Sequence, residues 1–205
     1  GVSIGGVTVD YDGATRSATP DMGADEFTPP SCVAAVGGTA SGSTSFCNSG
    51  TPTITASGYS SGVGSGYQWM SSTNSGDYPL AGTAVSGQTN PAALVTGVVS
   101  TTTYYWLRVT CATNSSTDYS NMITVTINPS VASISGPSSK CVNDPSVTLT
   151  ENGGTGTSWL WSTSATTQSI SVNPSSTTTY TVTVTSPGSC TATATKTITV
   201  NPNPT

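Results

Sequence analysis

A repeated segment is the feature of this sequence that most constrains its fold. Thr101–Tyr104 leads into a strand-like run that ends at Asn128-Pro129, and Thr177–Tyr180 leads into a similar run that ends at Asn201-Pro202. The tyrosines of the two segments are 76 residues apart and the asparagines are 73 residues apart, so the period is nearly constant. A repeat of this length predicts two successive modules of one kind, which we place at residues 33–129 and 130–202.

Alternating side chains predict that both modules are built from β-strands. Tyr180, Val182 and Val184 alternate with threonines, and Ile123–Ile127 shows the same pattern. Successive side chains of a strand point to opposite faces, so this pattern favours a sheet with one buried and one hydrated face. Clusters of Gly, Ser, Asn and Pro separate the runs. We therefore expect an all-β chain whose short strands form β-sandwiches.

The ionisable residues exclude several classes of function. The chain has no histidine, which removes Ser-His-Asp and Cys-His catalysis and histidine-ligated metals. It has 4 Lys+Arg against 9 Asp+Glu and a formal charge of -5, which disfavours binding to a phosphate backbone. No apolar run reaches the roughly 18 residues of a membrane span. We expect no catalysis, no nucleic-acid partner and no membrane-spanning segment.

Five cysteines indicate the compartment in which the chain works. They lack the CxxC spacing of zinc sites, and no histidine is present to complete such a site. Disulfide bonds are the better interpretation, and disulfides persist in oxidising compartments. The sequence therefore predicts an exported protein that works outside the cytoplasm.

The order of cysteine and aromatic residues is similar in the two modules. It reads Cys47, Trp69, Tyr104, Cys111 in the first module and Cys141, Trp161, Tyr180, Cys190 in the second. This order resembles the immunoglobulin (Ig)-like sandwich, in which a tryptophan packs beside a disulfide. With Gly66–Trp69 and Trp159–Thr163, the modules resemble more narrowly the Ig-like and PKD-like repeats of large exported proteins of the Bacteroidota. The resemblance implies two tandem Ig-like sandwiches from a type IX secretion cargo, such as a surface adhesin or a gliding-motility protein.

The repeat and this resemblance together imply a disulfide pairing. Cys47 corresponds to Cys141 and Cys111 to Cys190, so we expect the bonds Cys47–Cys111 and Cys141–Cys190. Cys32 is then left over. It could pair with a cysteine outside this chain, pair with Cys47 and displace Cys111, or stay reduced, and the repeat favours the first or the third alternative.

The first 27 residues differ from the modules. Asp12–Arg16 and Pro20–Phe27 resemble the closing segment of right-handed parallel β-helix proteins. The resemblance implies that residues 1–27 are the terminal end of a β-helix domain whose body lies upstream. Residues 28–32, with two prolines, are then a stiff linker, and residues 203–205 begin the next linker.

Two sets of residues are candidate binding sites. Asp10 and Asp12, followed by a glycine, offer alternating carboxylates for calcium, although the Glu that closes an EF-hand loop is absent and a solvated turn is the simpler explanation. Trp106 and Trp159 exceed the one core tryptophan expected in each sandwich and are candidates for stacking on a glycan, although cross-strand packing also explains them. Apart from calcium we expect no cofactor.

These observations favour a non-catalytic structural or display segment of a large secreted or cell-surface protein. Its partners would be the type IX secretion machinery during export and glycans or other surface proteins afterwards. Two alternatives remain at this point. The chain could be an accessory region of a secreted polysaccharide-degrading enzyme, or it could be a carbohydrate-binding module.

Overall fold

The strands of residues 31–202, the part described by the computed structural model, form two successive β-sandwiches. No strand of the first sandwich pairs with a strand of the second in this part of the chain. The only helical turns among these residues are two short 3-10 turns, Ser75–Asp77 and Pro187–Ser189. The described residues contain no helix with the length and apolarity that a membrane span requires.

The first sandwich contains nine strands in two sheets. One sheet has the order β1-β3-β6, and the other has the order β2-β9-β7-β4-β5 with β8 paired to β7. The strands are β1 (Thr39–Gly42), β2 (Ser45–Cys47), β3 (Thr53–Ser57), β4 (Ser65–Ser72), β5 (Thr83–Ala84), β6 (Leu94–Val95), β7 (Thr103–Cys111), β8 (Ser116–Tyr119) and β9 (Ile123–Asn128).

The second sandwich repeats this plan with seven strands. Its sheets have the orders β10-β12-β14 and β11-β16-β15-β13. The strands are β10 (Ile134–Ser135), β11 (Ser139–Cys141), β12 (Val147–Glu151), β13 (Ser158–Trp161), β14 (Ser169–Val172), β15 (Thr178–Ser186) and β16 (Cys190–Asn201).

The strand order is that of an Ig-like sandwich and confirms the predicted fold class. The chain passes repeatedly from one sheet to the other, as in a Greek key. In both sandwiches the first strand is divided: its first part (β1 or β10) is antiparallel to a strand of one sheet, and its second part (β2 or β11) runs parallel to the last strand of the other. The chain is therefore all-β over these residues, with two tandem Ig-like sandwiches.

Each sandwich encloses its own hydrophobic core. Trp69 lies in the first core and Trp161 in the second, and both are almost completely buried. Their indole N–H groups donate to the carbonyl oxygens of Asn90 and Thr167, each at 2.9 Å, so burial leaves neither donor unpaired. Val182 is also completely buried, as the alternation of β15 predicts.

The register of the strands shows which residues of the two sandwiches are equivalent. Trp69 lies opposite Leu107 and Trp161 lies opposite Val182, so Leu107 corresponds to Val182. Counting along β7 and β15 from this pair, the buried Tyr105, rather than Tyr104, is the equivalent of Tyr180. The same count makes the last residue of β7, Cys111, equivalent to the last residue of β15, which is Ser186 and not Cys190.

Candidate functional site

The junction between the two sandwiches is the candidate functional site of the described residues, because a disulfide bond and several hydrogen bonds meet there. On the side of the first sandwich it contains the end of β2. Because β2 runs parallel to β9, Cys47 lies opposite Asn128, at the end from which the chain leaves the sandwich. The backbone N–H of Asn48 donates to the carbonyl oxygen of Asn128 at 3.0 Å and holds this end together.

On the side of the second sandwich the junction contains the turn between β15 and β16. Ser186 and Cys190 are paired across the base of this hairpin, and the 3-10 turn Pro187–Ser189 joins them. Gly188 has a φ of 75°, a left-handed conformation that glycine adopts without steric cost. A Cβ atom on Gly188 would come within 2.7 Å of the amide nitrogen of Asn128. Glycine therefore lets the turn contact the end of the first sandwich.

A disulfide bond between Cys47 and Cys190 joins the two sides. The Cα atoms of the two cysteines are 5.4 Å apart, which is typical of a disulfide. The two residues are 143 positions apart in the sequence, whereas the peptide connection between β9 and β10 is only a few residues long. The sandwiches are thus tied together twice, once by the peptide chain and once covalently through side chains.

Hydrogen bonds, two of them buried, lie near these two connections. The side-chain oxygen of Asn48 accepts a hydrogen bond from the backbone N–H of Ser130 at 2.7 Å. The Ser130 hydroxyl donates to the carbonyl oxygen of Cys190 at 3.3 Å and lies 3.4 Å from the hydroxyl of Ser186. Ser186 in turn lies 3.1 Å from the Thr155 hydroxyl. These contacts restrict bending about the Asn128-Pro129-Ser130 connection.

A second disulfide, Cys32–Cys111, lies at the opposite end of the first sandwich. Its Cα atoms are 5.7 Å apart, and it ties the segment that enters the sandwich to the end of β7. Side chains of the β7–β9 region hold the same segment by hydrogen bonds. The Asn114 side-chain amide donates to the Val33 carbonyl at 2.6 Å. The side-chain oxygens of Ser116, Asp118 and Asn121 accept from the backbone N–H groups of Ala35, Gly37 and Ala40, at 2.8, 2.9 and 2.7 Å respectively.

The predicted disulfide pairing is therefore wrong, and strand direction explains why. Cys47 lies beside the end of β9, whereas Cys111 is the last residue of β7, which is antiparallel to β9. Eight residues separate Cys111 from Thr103, the residue of β7 nearest to that end, which is about 26 Å at the rise of a strand. No disulfide can span that distance, since the Cα atoms must lie within about 7 Å.

The same reasoning applies to the predicted Cys141–Cys190 bond. Cys141 lies opposite Asn201, the last residue of β16, while Cys190 is its first residue. Eleven residues of strand, about 36 Å, separate the two ends. Cys141 is free and partly exposed, and Cys32, which we had expected to be unpaired within the chain, is bonded to Cys111.

A signal for the correct pairing is present in the sequence. Cys32-Val33-Ala34 and Ser130-Val131-Ala132 enter the first and second sandwiches at corresponding positions. Cys32 corresponds to Ser130, as Cys111 corresponds to Ser186. The buried Ser130–Ser186 contact thus takes the place in the second sandwich that the Cys32–Cys111 bond has in the first.

The prediction that Trp106 stacks on a glycan is also wrong. Its side chain is completely buried, because the loop after β4 folds over the outer face of the sheet. The indole N–H donates to the Pro79 carbonyl at 3.1 Å, and the ring of Tyr78 packs edge-on against the indole at a centroid distance of 5.6 Å. No part of this tryptophan is available to a surface ligand.

Trp159 is partly buried and packs against the second core. Its indole N–H donates to Glu151 at 3.0 Å, and Glu151 is itself almost completely buried. A role in glycan stacking stays a prediction for this residue. Asp10 and Asp12, together with the predicted β-helix end at residues 1–27, lie outside the described residues.

Three comparisons with known proteins add to this description. Residues 36–129, less than half of the chain, match the model of a domain family of unknown function, DUF8696. No curated protein matches the chain.

Several solved structures resemble the chain over most of its length. They include three N-terminal domains of the Highly Immunogenic Outer Capsid protein (Hoc) of bacteriophage RB49 (16% identity, TM-score 0.39), a structure of Dscam described as the basis of its isoform specificity (11%, 0.33) and immunoglobulin domains 1–4 of Sidekick-1 (14%, 0.28). The matches cover 82%, 83% and 82% of this chain, and 59%, 47% and 52% of those structures. The chain thus spans about half of their length, and the strand order above carries the fold assignment.

Proposed function

We propose that this chain is a non-catalytic spacer that displays other parts of a large secreted or cell-surface protein. The observation that supports this most directly is the Cys47–Cys190 bond between the two sandwiches. A domain with only its own stability to maintain has no use for a covalent bond to its neighbour. A spacer has such a use, because the bond fixes the angle and the distance between successive modules.

The surface of the chain supports the same role. The outer positions of β15 and β16 are mostly threonines, for example Thr179 and Thr197, whose hydroxyls lie 2.8 Å apart across the strands. Such pairs satisfy each other and present a hydrated, uncharged surface. A polar, disulfide-bonded pair of modules suits exposure outside the cell.

The resemblance to Bacteroidota repeats extends the proposal. By that resemblance the parent protein is an adhesin-like or gliding-associated cargo of type IX secretion, exported to the outer-membrane surface or released from it. The parent protein would then contact glycans or other surface proteins through the parts that these Ig-like modules display. We also propose that the two modules extend over residues 33–129 and 130–202.

Small-angle X-ray scattering tests whether the junction is rigid. We expect the distance distribution of the wild-type chain to be narrow, with a maximum extension that does not change with temperature below unfolding. The Cys47→Ser/Cys190→Ser variant removes the covalent bond and should broaden the distribution. Cys141→Ser, which removes a thiol away from the junction, is the matched control and should leave the curve unchanged. Indistinguishable curves for the double variant and the wild type would refute the proposed spacer role of the bond.

A further inference from the structure

Cys141 occupies in the second sandwich the position that Cys47 has in the first. Both are the last residue of a three-residue strand that runs parallel to the final strand of its sandwich. Cys47 lies opposite Asn128 and Cys141 lies opposite Asn201, and in each case a proline follows the asparagine. Yet Cys47 is bonded to the next sandwich, whereas Cys141 is free.

The surroundings of the two cysteines are also equivalent. The hydroxyl of Thr102 accepts the backbone N–H of Ile127 at 3.2 Å, and the hydroxyl of Thr177 accepts the backbone N–H of Val200 at 3.1 Å. The residue after each cysteine donates its backbone N–H to the opposing asparagine carbonyl at 3.0 Å. The end of the second sandwich is therefore built like the end that, in the first, receives a neighbour.

The equivalent surface is contacted by a neighbouring sandwich in one case and open in the other. At the end of the first sandwich, the turn Pro187–Ser189 lies against Asn128. At the end of the second, the described residues leave an open pocket lined by residues that include Val142, Thr177, Val200 and Asn201. Val142 is 40% exposed there although it is apolar. The pocket lining includes Asn201, the equivalent of the Asn128 that the turn contacts, and Val142, the residue that follows Cys141.

We propose that Cys141 and this pocket dock a further Ig-like module and bond to it covalently. The module that fits carries a Pro-Gly-Ser-Cys turn like that at residues 187–190, and its cysteine forms a disulfide with Cys141. The inference rests on the proposed spacer function and extends it: each sandwich bonds to the turn before the last strand of the next. Cys190 of this chain is not the partner, because it is bonded to Cys47 and lies at the far end of β16.

The chemistry of the bond is thiol–disulfide exchange. The S–H bonds of Cys141 and of the partner cysteine break, and one S–S bond forms between the two sulfurs. A small-molecule or protein disulfide is the oxidant: its S–S bond breaks, and it takes up the two electrons and two protons as a pair of thiols.

A chain extended by one module tests the proposal. A second copy of residues 130–205 is placed directly after Pro202, which recreates the Asn-Pro-Ser connection of the first junction. In the added copy, Cys141→Ser removes the new terminal thiol, and Thr191→Ser marks the peptide that carries the added Cys190. The protein is folded in a glutathione redox buffer, alkylated without reduction, digested and mapped by mass spectrometry.

We expect a linked peptide that joins Cys141 of the original chain to the marked Cys190 of the added module, and no alkylated cysteine. Cys141→Ser in the original chain is the matched control and should leave the marked cysteine alkylated. The proposal is overturned if Cys141 and the marked cysteine are both alkylated, or if Cys141 instead links two molecules through a Cys141–Cys141 bond.

The original Cys47–Cys190 peptide separates failure of this proposal from failure of the spacer function. If that peptide forms while the marked cysteine stays free in a folded module, docking at Cys141 is refuted and the spacer function stands. If neither bond forms, both proposals fail. The cooperative unfolding of the added module, followed by circular dichroism, shows that it has folded.

Discussion

Replacing Ser130 and Ser186 by cysteines should create a new disulfide in the second sandwich. The two serines are buried, their hydroxyls lie 3.4 Å apart, and they correspond to the bonded Cys32 and Cys111 of the first sandwich. The residues are 56 positions apart, and closing a loop of that length lowers the entropy of the unfolded chain by an amount equivalent to about 4 kcal/mol at 25 °C. The substitution also removes the hydrogen bonds of both hydroxyls, from Ser130 to the Cys190 carbonyl and from Ser186 to Ser130 and Thr155, which together contribute about 2 kcal/mol.

The expected net gain in the free energy of unfolding of the second sandwich is therefore about 2 kcal/mol. The assay is guanidinium unfolding followed by circular dichroism, on the Ser130→Cys/Ser186→Cys variant in a Cys141→Ser background. Ser130→Ala/Ser186→Ala in the same background is the matched control and should lose about 2 kcal/mol, because both hydroxyl donors are removed. If the two new cysteines remain alkylatable after folding in an oxidising buffer, or if the bond forms and the sandwich becomes less stable, the equivalence of the two serines with Cys32 and Cys111 is refuted.

Three further substitutions test other parts of the structure. Glu151→Gln should cost about 1–3 kcal/mol in guanidinium unfolding. The buried carboxylate accepts hydrogen bonds from two backbone N–H groups and an indole, and the amide NH2 of glutamine would face one of these donors. The control Asp144→Asn changes an exposed carboxylate that accepts one backbone N–H, and it should cost less than about 1 kcal/mol. Burial raises the pKa of Tyr105, and a hydrogen bond to Thr103 partly offsets this rise. Because the tyrosine of the unfolded chain ionises first, the free energy of unfolding should fall as the pH rises above about 10. Tyr105→Phe should make the free energy of unfolding less sensitive to alkaline pH, and an unchanged slope would contradict this. Trp106→Ala should cost about 3–5 kcal/mol in the same assay, since the side chain is completely buried, and a stability equal to that of the wild type would show that its burial is wrongly assigned.

Local patterns in the sequence were sufficient to predict the sandwich fold. Alternation within Tyr180–Val184 identifies the inward-facing side chains, and these side chains are buried. The core positions of Trp69 and Trp161 also follow from the repeat, because each sandwich needs a large residue at the same place between its sheets.

The disulfide pairing could not be predicted in the same way, since it depends on which end of a sandwich each cysteine occupies. Residue order alone aligned Cys111 with Cys190, although strand register aligns Cys111 with Ser186. The burial of Trp106 likewise depends on a loop that covers the outer face of a sheet, whereas the sequence showed only that this tryptophan exceeds the one expected in the core. The disulfide pairing and the burial of Trp106 both depend on contacts between residues that are far apart in the sequence.

Disulfide mapping of the intact, unreduced chain tests the central claim most directly. After alkylation of free thiols and proteolysis, mass spectrometry should find one peptide pair that links Cys47 to Cys190, a second that links Cys32 to Cys111, and alkylation at Cys141 alone. Peptide pairs that link Cys47 to Cys111 and Cys141 to Cys190 would contradict the account, because each sandwich would then be closed on itself and nothing covalent beyond the backbone would join them.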